Sequence, residues 1–231
     1  MKSQAAMLRI FVLGTIALSM AVSVRAAEFS IAQIYIEYNS TPRDLGYHVS
    51  LDGEDWRSLS IINPRGKIIF EVKGKAAYKD LGMTELFFEG AEPALADFPL
   101  DDLLDLFPEG VYRFVGTTVD GERISGQDTL THAVPSGPML LPVDHPDANT
   151  LIIKWQPVVA PPAGFPVRKI EIVGYQVIVS KFLITLPASA TSVTVPKEFV
   201  QSLAPGVQLY EILAIDVSGN QTISEGSFNK K

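Results

Sequence analysis

Cysteine is absent from this chain of 231 residues, and its absence excludes several kinds of chemistry. Without a thiol there is no disulfide, no thiolate metal site, no thiol nucleophile and no lipid-bearing N-terminal cysteine. Export without disulfides is compatible with a bacterial periplasm or exterior, where domains of this size are stable through their cores alone. The hydrophobic content of 47% is sufficient for such cores, and the length allows two domains.

Basic residues are scarce, since 19 lysines and arginines stand against 26 acidic residues. Three of the basic residues, Lys2, Arg9 and Arg25, belong to the N-terminal segment. Without that segment, 16 basic residues remain against the 26 acidic ones, and the net charge is near −10. The sequence therefore predicts no nucleic-acid partner and no anionic membrane surface as partner, because both attract positive charge.

Only one apolar run is long enough to suggest targeting. Residues 10–24 carry no charge, follow two basic residues and precede small residues at Ala26 and Ala27. This pattern is typical of a secretory signal peptide over residues 1–26. The alternative is a membrane anchor, but a run of 15 residues is shorter than the roughly 20 needed to span a bilayer. We therefore expect an exported bacterial protein, periplasmic or extracellular, with no membrane attachment after signal cleavage.

Sequence patterns of catalysis are missing as well. The chain has no Gly-x-Ser-x-Gly motif and no Gly-rich phosphate loop. Its three histidines, His48, His132 and His145, are far apart, and no two have the spacing of a zinc site. We expect each to be solvated, with His48 on the polar face of its strand. The sequence predicts a non-enzymatic protein with no cofactor and no metal ion.

Two groups of acidic residues allow other interpretations. Asp101, Asp102 and Asp105 lie in a predicted helix, where the helix dipole and solubility explain them better than catalysis does. The run Asp52-Gly53-Glu54-Asp55, together with Asp44, offers oxygen ligands for calcium. A tight polar turn is the simpler interpretation of this run. A structural protein stabilised by calcium remains an alternative.

Alternation of apolar and polar residues predicts β-strands through most of the chain. Residues 28–133 are predicted to form a mostly-β, sandwich-like domain, with a hairpin at Asp120-Gly121. A short helix is inserted in it, because leucines with helical spacing follow Pro99. Residues 134–138 are predicted to be a short, stiff linker to a second domain over residues 137–229.

The second domain contains several motifs in a defined order. These are Leu151-x-Ile153-x-Trp155-x-Pro157, Gly174-Tyr175-Gln176-Val177, Leu203-x-Pro205-Gly206 and Ala214-Ile215-Asp216-x-x-Gly219-Asn220. Together they resemble a fibronectin type III domain, an immunoglobulin-like β-sandwich. The resemblance implies that Trp155 is a core residue, and it favours adhesion, spacing or recognition without chemistry. One departure is Leu209, which stands where the family has a tyrosine. The N-terminal half resembles only uncharacterised exported bacterial β domains.

These patterns predict an all-β fold of two tandem β-sandwich domains. The loop at residues 158–166 is apolar and rich in proline, and in the type III topology it shares one end of the sandwich with residues 217–221. We expect recognition there, because a loop that is ordered before binding loses little entropy. The residues predicted for it are Val158, Pro161, Pro162, Phe165, Gly219 and Asn220. The alternative is that the loop packs internally.

The predicted function is that of an exported, non-enzymatic binding or scaffold protein with a protein or a glycan as its partner. A second hypothesis is an accessory, carbohydrate-binding component of a glycan-active system. It is motivated by Tyr47, Trp56 and Phe165, whose rings are suited to stacking on sugars.

Overall fold

The computed structural model describes residues 27–144 and 149–230. Strands account for 54% of the residues and helices for 9%, so the predicted all-β sandwich architecture is confirmed. The predicted signal peptide (1–26) and His145 lie outside the described residues. In chain order the elements are β1 (Ala27–Glu28), β2 (Ile31–Asn39), β3 (Asp44–Ile62), β4 (Ile68–Lys73), α1 (Ala77–Leu81), β5 (Met83–Glu89), α2 (Leu100–Leu106), β6 (Gly110–Thr118), β7 (Arg123–Leu130), β8 (Leu151–Lys154), β9 (Ile172–Val179), β10 (Phe182–Pro187), β11 (Ser192–Val195), α3 (Lys197–Ser202), β12 (Gly206–Asp216) and β13 (Gln221–Lys230).

The N-terminal half is organised around β3, a strand of 19 residues. Its first part pairs with β2 and β5, and its second part, from Trp56 onward, pairs with β6 and β4. A register shift between Asp52 and Trp56 separates the two parts. The tight turn predicted at Asp52-Gly53-Glu54-Asp55 is wrong, because the strand continues through this irregularity. The lack of a side chain at Gly53 instead allows Phe29 to pack closely, since a Cβ there would lie 2.9 Å from the ring of Phe29.

Other local predictions agree with the structure. β6 and β7 form the hairpin expected at Asp120-Gly121. The predicted helix is α2, which begins at Leu100 and buries Leu103 and Leu104. The sequence predicts only one helix, whereas α1 and α3 are also present, with five and six residues. Helices this short carry too few positions for a helical period to stand out in the sequence.

Two sets of strands pack against each other in the C-terminal half. β8 pairs with β11, and isolated bridges add Leu140 and Asp144 to this set. The other set has the order β10, β9, β12 and β13. Trp155 follows β8 and packs on Tyr175 of β9, with ring centroids 5.4 Å apart and 1% of the tryptophan exposed. Trp155 is therefore a core residue, in contact with the strands of the second set.

Direct strand pairing joins the two halves. β13 runs parallel to β2, with Gln221 opposite Glu37, so one 11-stranded sheet extends through both halves. The segment predicted as a linker, 134–138, is not extended into solvent. Its Pro135 is buried, and the carbonyl of Pro135 accepts a hydrogen bond of 2.6 Å from Thr222 Oγ1.

The hydrophobic core consists of two clusters. One contains residues between 29 and 134 together with Phe165, and the other contains residues between 151 and 228. The division into domains of 28–133 and 137–229 stays a prediction, and the halves that it separates share one sheet. None of the helices within residues 27–144 and 149–230 has the length and hydrophobicity to cross a membrane.

Candidate functional site

Phe165 attaches the loop at residues 158–166 to the N-terminal half. Its ring is 7% exposed and packs on the ring of Tyr38 in β2, with centroids 4.8 Å apart. Just after the loop, Arg168 Nη2 donates a hydrogen bond of 2.9 Å to Glu109 Oε2. This bond lowers the pKa of Glu109 below its usual value, because it stabilises the carboxylate. Phe165 therefore packs internally, which is the alternative that the sequence allowed for this loop.

The remaining residues of the predicted recognition loop differ in exposure. Val158 is buried, and its N–H donates a hydrogen bond of 2.8 Å to the hydroxyl oxygen of Tyr175. Pro161 and Pro162 are half-buried. Val159 is largely exposed, at 82%. Recognition by this loop stays a prediction, and the loop offers Val159 to a partner rather than Val158.

Asn220 connects three segments and has no exposed surface. Its Oδ1 accepts the N–H of Ile36 at 2.8 Å, and its Nδ2 donates to the carbonyls of Thr131 at 2.8 Å and Ala133 at 3.2 Å. These bonds hold the start of β13 to β2 and to the segment after β7. Gly219, with a left-handed φ of 86°, forms the turn before it. Both predicted recognition residues thus lie at the interface between the halves.

The aromatic residues behind the carbohydrate hypothesis are all buried. Tyr47 is 5% exposed, Trp56 is 0% exposed and Phe165 is 7% exposed. None of the three presents a ring face to a sugar, because each contributes to the N-terminal core. The sequence pattern identifies aromatic residues but not the side of the sheet that becomes covered.

The acidic residues considered for calcium are not brought together. Asp44 begins β3, and Asp52 lies eight residues further along this strand. An extended strand separates residues that far apart by about 27 Å. Asp44 therefore lies too far from Asp52 to bind the same calcium ion.

Asp101 and Asp102, which belong to the other acidic group, lie in the first turn of α2, as the helix dipole favours.

A polar groove of about 700 Å³ lies between β1 and β2 on one side and β6 and β7 on the other. Gln33, Arg113, Arg123 and Gln127 are among the residues that line it. Their side chains offer hydrogen-bond donors and amide acceptors in one place. The sequence does not reveal this groove, because its walls come from strands far apart in the chain.

Glu37, His48 and Glu92 form a cluster that the sequence analysis does not anticipate. Glu37 lies on β2, His48 on β3 and Glu92 in the segment after β5. His48 Nε2 is 3.8 Å from Glu37 Oε1 and 3.6 Å from Glu92 Oε1. One ligand atom from each residue lies within 4.8 Å of the other two, close enough for all three to share a metal ion. These three residues are called the carboxylate–histidine cluster below.

His48 is 4% exposed, so the prediction of a solvated histidine is wrong. The segment after β5 continues alongside β3 and brings the side chain of Glu92 over Gly46, beside His48. The N–H of Gly90 donates to the carbonyl of Tyr47 at 2.9 Å, and the N–H of Leu45 donates to the carbonyl of Pro93 at 3.4 Å. Alternation along a strand shows which residues share a face, but it does not show what covers that face.

Gly46 leaves the space that Glu92 occupies. A Cβ at position 46 would lie 2.6 Å from Glu92 Cγ and 2.8 Å from Glu92 Oε1. Both distances are below van der Waals contact, so a larger residue at this position would displace the carboxylate. The hairpin register places Gly46 opposite Glu37, two residues before His48.

Acidic side chains and His48 determine the electrostatic environment of the carboxylate–histidine cluster. Burial raises the pKa of Glu37, and the neighbouring His48 acts in the opposite direction. Burial, followed by the nearby carboxylates of Glu89 and Asp44, raises the pKa of Glu92 to about 7. Carboxylates that are partly withdrawn from water and close to one another favour a cation between them.

His132 is buried as well, but its ring Nε2 and its backbone N–H have partners. Its Nε2 donates to the carbonyl of Phe107 at 2.9 Å, and its backbone N–H donates to Glu109 Oε1 at 2.7 Å. The prediction of a solvated histidine is wrong here too, since 9% of the residue is exposed. His132 supports the chain after β7 and has no place in the carboxylate–histidine cluster.

No family model and no curated protein matches this chain. Among solved structures, the Clostridium perfringens spore cortex lytic enzyme SleM is similar, at 20% identity and a TM-score of 0.33. The match covers 41% of this chain and 28% of that enzyme.

Two other similar structures are surface-associated β domains. The BSP domain of a biofilm associated protein has 15% identity and a TM-score of 0.27. A bacterial ice-binding adhesin has 11% identity and a TM-score of 0.28. Each match covers 87% of this chain, but this chain spans only 30% and 64% of those chains. Likenesses at these scores do not assign a function to this chain.

Proposed function

We propose that this chain is an exported, non-enzymatic binding or scaffold protein whose two β halves form one rigid unit. The shared sheet is the observation that carries this proposal. Because β13 pairs with β2, main-chain hydrogen bonds connect the halves in addition to the covalent link. A scaffold benefits from this rigidity, since surfaces that are fixed before binding lose little entropy when a partner docks.

Side-chain contacts support the rigid unit at two places. Asn220 is fully buried and hydrogen-bonds to Ile36 in β2 and to Thr131 and Ala133 after β7. Phe165 inserts from the C-terminal half into the N-terminal cluster. One contact is polar and directional and the other is apolar, so the pair resists both sliding and separation of the halves.

The proposal includes a C-terminal domain of the fibronectin type III kind. Its support is the pairing of β8 with β11 in one set and of β10, β9, β12 and β13 in the other. Two packed antiparallel sets of this kind are the architecture of immunoglobulin-like sandwiches. Trp155 occupies the core position that the resemblance implies.

Rigidity is testable by a distance measurement between spin labels. Since the chain has no cysteine, Lys73→Cys and Lys181→Cys provide one label in each half, on exposed residues of β4 and the β9–β10 turn. The expected result is one narrow distance distribution. The same labels in an Asn220→Ala, Phe165→Ala background are expected to give a broader distribution. A broad or bimodal distribution in the otherwise unchanged protein would contradict the rigid unit.

Export is tested by cell fractionation of the full chain. We expect a processed protein in the periplasm or medium, with an N-terminus near Ala27. Retention of the unprocessed chain in the cytoplasm would contradict the proposed localisation, whatever the spin-label distances show.

Glycan recognition is a second candidate function, and the polar groove favours it. Sugar hydroxyls need side chains that donate and accept hydrogen bonds, and Gln33 and Gln127 line this groove. A glycan array is the direct test, with a Gln33→Ala, Gln127→Ala variant compared with Gln176→Ala on β9 as the control. We expect the unchanged protein and the Gln176→Ala control to bind glycans, and the groove variant to lose this binding. An array on which the protein binds no glycan would eliminate this candidate.

A further inference from the structure

His48 is a buried polar side chain without a hydrogen bond. Its side chain is 5% exposed, and neither Nδ1 nor Nε2 has a partner among the described residues. A polar group buried in this way destabilises a fold unless something binds it. The ring is also held in place, because it stacks on Tyr35 at a centroid distance of 5.1 Å and contacts Phe87 at 6.0 Å.

The distances around His48 Nε2 suit a metal ion better than a hydrogen bond. Nε2 lies 3.8 Å from Glu37 Oε1 and 3.6 Å from Glu92 Oε1. A charge-assisted hydrogen bond would bring these atoms to about 2.8 Å. Two ligands of one tetrahedral Zn²⁺, each about 2.1 Å from the ion, lie about 3.4 Å apart. Small side-chain movements would therefore place the three atoms around an ion.

The two carboxylates are positioned by other parts of the fold. Gln221 Nε2 donates a hydrogen bond to Glu37 Oε2, which leaves Oε1 directed to His48. Gln221 would therefore not bind the ion itself but would orient the carboxylate of Glu37, as hydrogen-bonding partners of metal-binding carboxylates commonly do. Glu92 reaches the cluster only because Gly46 has no side chain.

We propose that His48 Nε2, Glu37 Oε1 and Glu92 Oε1 bind one divalent first-row transition metal ion, with Zn²⁺ as the preferred ion. The ligand set contains an imidazole nitrogen, which zinc accepts and which calcium and magnesium do not favour. Three protein ligands leave a fourth position open to water. The ion would connect β2, β3 and the segment after β5, and through Gln221 it would brace the start of β13.

Calorimetric titration of the untagged, chelator-treated full chain with Zn²⁺ is the direct test. The expected result is one zinc ion per chain, with an affinity at least about tenfold higher than for Ca²⁺ or Mg²⁺. Saturating zinc is expected to raise the melting temperature by about 5 °C, because the ion binds the folded state.

Three variants locate the site. His48→Gln and Glu92→Gln are expected to weaken zinc binding by about a hundredfold, since each removes one of three ligands. Gly46→Ala is expected to weaken it as well, by displacing Glu92. Glu85→Gln is the matched control, because it removes one exposed carboxylate from β5 and leaves the cluster intact. Its zinc affinity should not change.

Histidine NMR on the unchanged protein keeps the proposal testable even if a variant fails to fold. Zinc is expected to shift the ring resonances of His48 and to leave those of His132 in place, since Nε2 of His132 is already hydrogen-bonded. Several results would overturn the proposal. These are no zinc binding by the unchanged protein, His48→Gln and Glu92→Gln variants that bind zinc as tightly as the unchanged protein does, or a zinc shift at His132 and not at His48.

Discussion

Two regions of the molecule differ in how a buried polar side chain is satisfied: the turn at Asp216 and Asn220 in the C-terminal half, and the surroundings of His48 in the N-terminal half. In the C-terminal half, Asp216 is 1% exposed and accepts hydrogen bonds from the backbone N–H of Glu171 at 2.6 Å and of Ser218 at 3.0 Å. Asn220 likewise uses its oxygen and its nitrogen. In the N-terminal half, His48 is also buried, but neither ring nitrogen has a hydrogen-bond partner within residues 27–144 and 149–230.

The difference separates a structural role from a binding role. Asp216 and Asn220 hold loops and strands in place, and their hydrogen bonds account for their burial. His48 faces two carboxylates without bonding either, and burial raises the pKa of both acids. A buried group without a partner needs another explanation, and binding of the proposed metal ion provides one.

Loss of a core tryptophan is expected to have the largest effect and to show whether the halves unfold together. Trp56→Ala and Trp155→Ala should each lower the free energy of unfolding by about 3–5 kcal/mol, because each leaves a large cavity. The chain has two tryptophans, so each variant retains the other as a fluorescent reporter in the opposite half. Urea unfolding of Trp155→Ala, followed through Trp56, should shift to lower urea if the halves are coupled. A loss below about 1 kcal/mol in Trp155→Ala would refute its core assignment.

Removal of the Asn220 side chain tests the structural role of a bonded polar group. Asn220→Ala should cost about 3 kcal/mol, since it leaves the N–H of Ile36 and the carbonyls of Thr131 and Ala133 buried without a partner. Urea unfolding gives the free energy. Asn229→Ala, an exposed asparagine of β13, is the control and should change stability by less than about 0.5 kcal/mol. Equal effects of the two changes would contradict the structural role of Asn220.

Removal of the His48 side chain in metal-free buffer should have a much smaller effect. His48→Leu is expected to change the free energy of unfolding by less than about 1 kcal/mol, because no hydrogen bond is lost and an apolar side chain fits between the rings of Tyr35 and Phe87. Chemical unfolding in the presence of a chelator measures it. A loss above about 2 kcal/mol would mean that His48 already stabilises the apo fold through a proton shared with Glu37 and Glu92.

Acid should produce the smallest effect, at the ion pair that holds the loop. The pKa of Glu109 is lowered from its usual 4.5, first by the hydrogen bond from Arg168. A lowered folded-state pKa means that the pair stabilises the protein above pH 4.5 and that this contribution is lost as pH falls through the folded pKa. Arg168→Gln should therefore reduce the loss of stability on acidification, as measured by urea midpoints on either side of that range. An identical acid response in both proteins would show that the pair does not stabilise the fold.

Much of the fold follows from local sequence patterns. The alternation of Leu151, Ile153 and Trp155 predicts a strand with a buried face, and the structure places all three in the core. The leucine spacing predicts α2, and Asp120-Gly121 predicts the β6–β7 hairpin. In each case residues close in sequence determine the outcome.

The carboxylate–histidine cluster is only partly accessible from the sequence. Once β2 and β3 are recognised as a hairpin, the register pairs Tyr35 with His48 and Glu37 with Gly46, which brings Glu37 near His48. Nothing in the sequence shows that Glu92, 44 residues after His48, returns to the same place. Its position depends on the fold of the segment after β5, which has neither a helical nor an alternating pattern.

Composition and residue alternation are enough to establish most of the strands, the residues that share a face of each strand and the absence of thiol chemistry. Each is a local property, set by composition or by a period of two residues. The tertiary structure decided what covers those faces. It buried His48 between Tyr35 and Phe87 and beside Glu92, inserted Phe165 into the N-terminal core and joined Asn220 to Ile36. Such contacts depend on long-range packing between segments that carry no local signal of their partners, so only the folded chain brings them together.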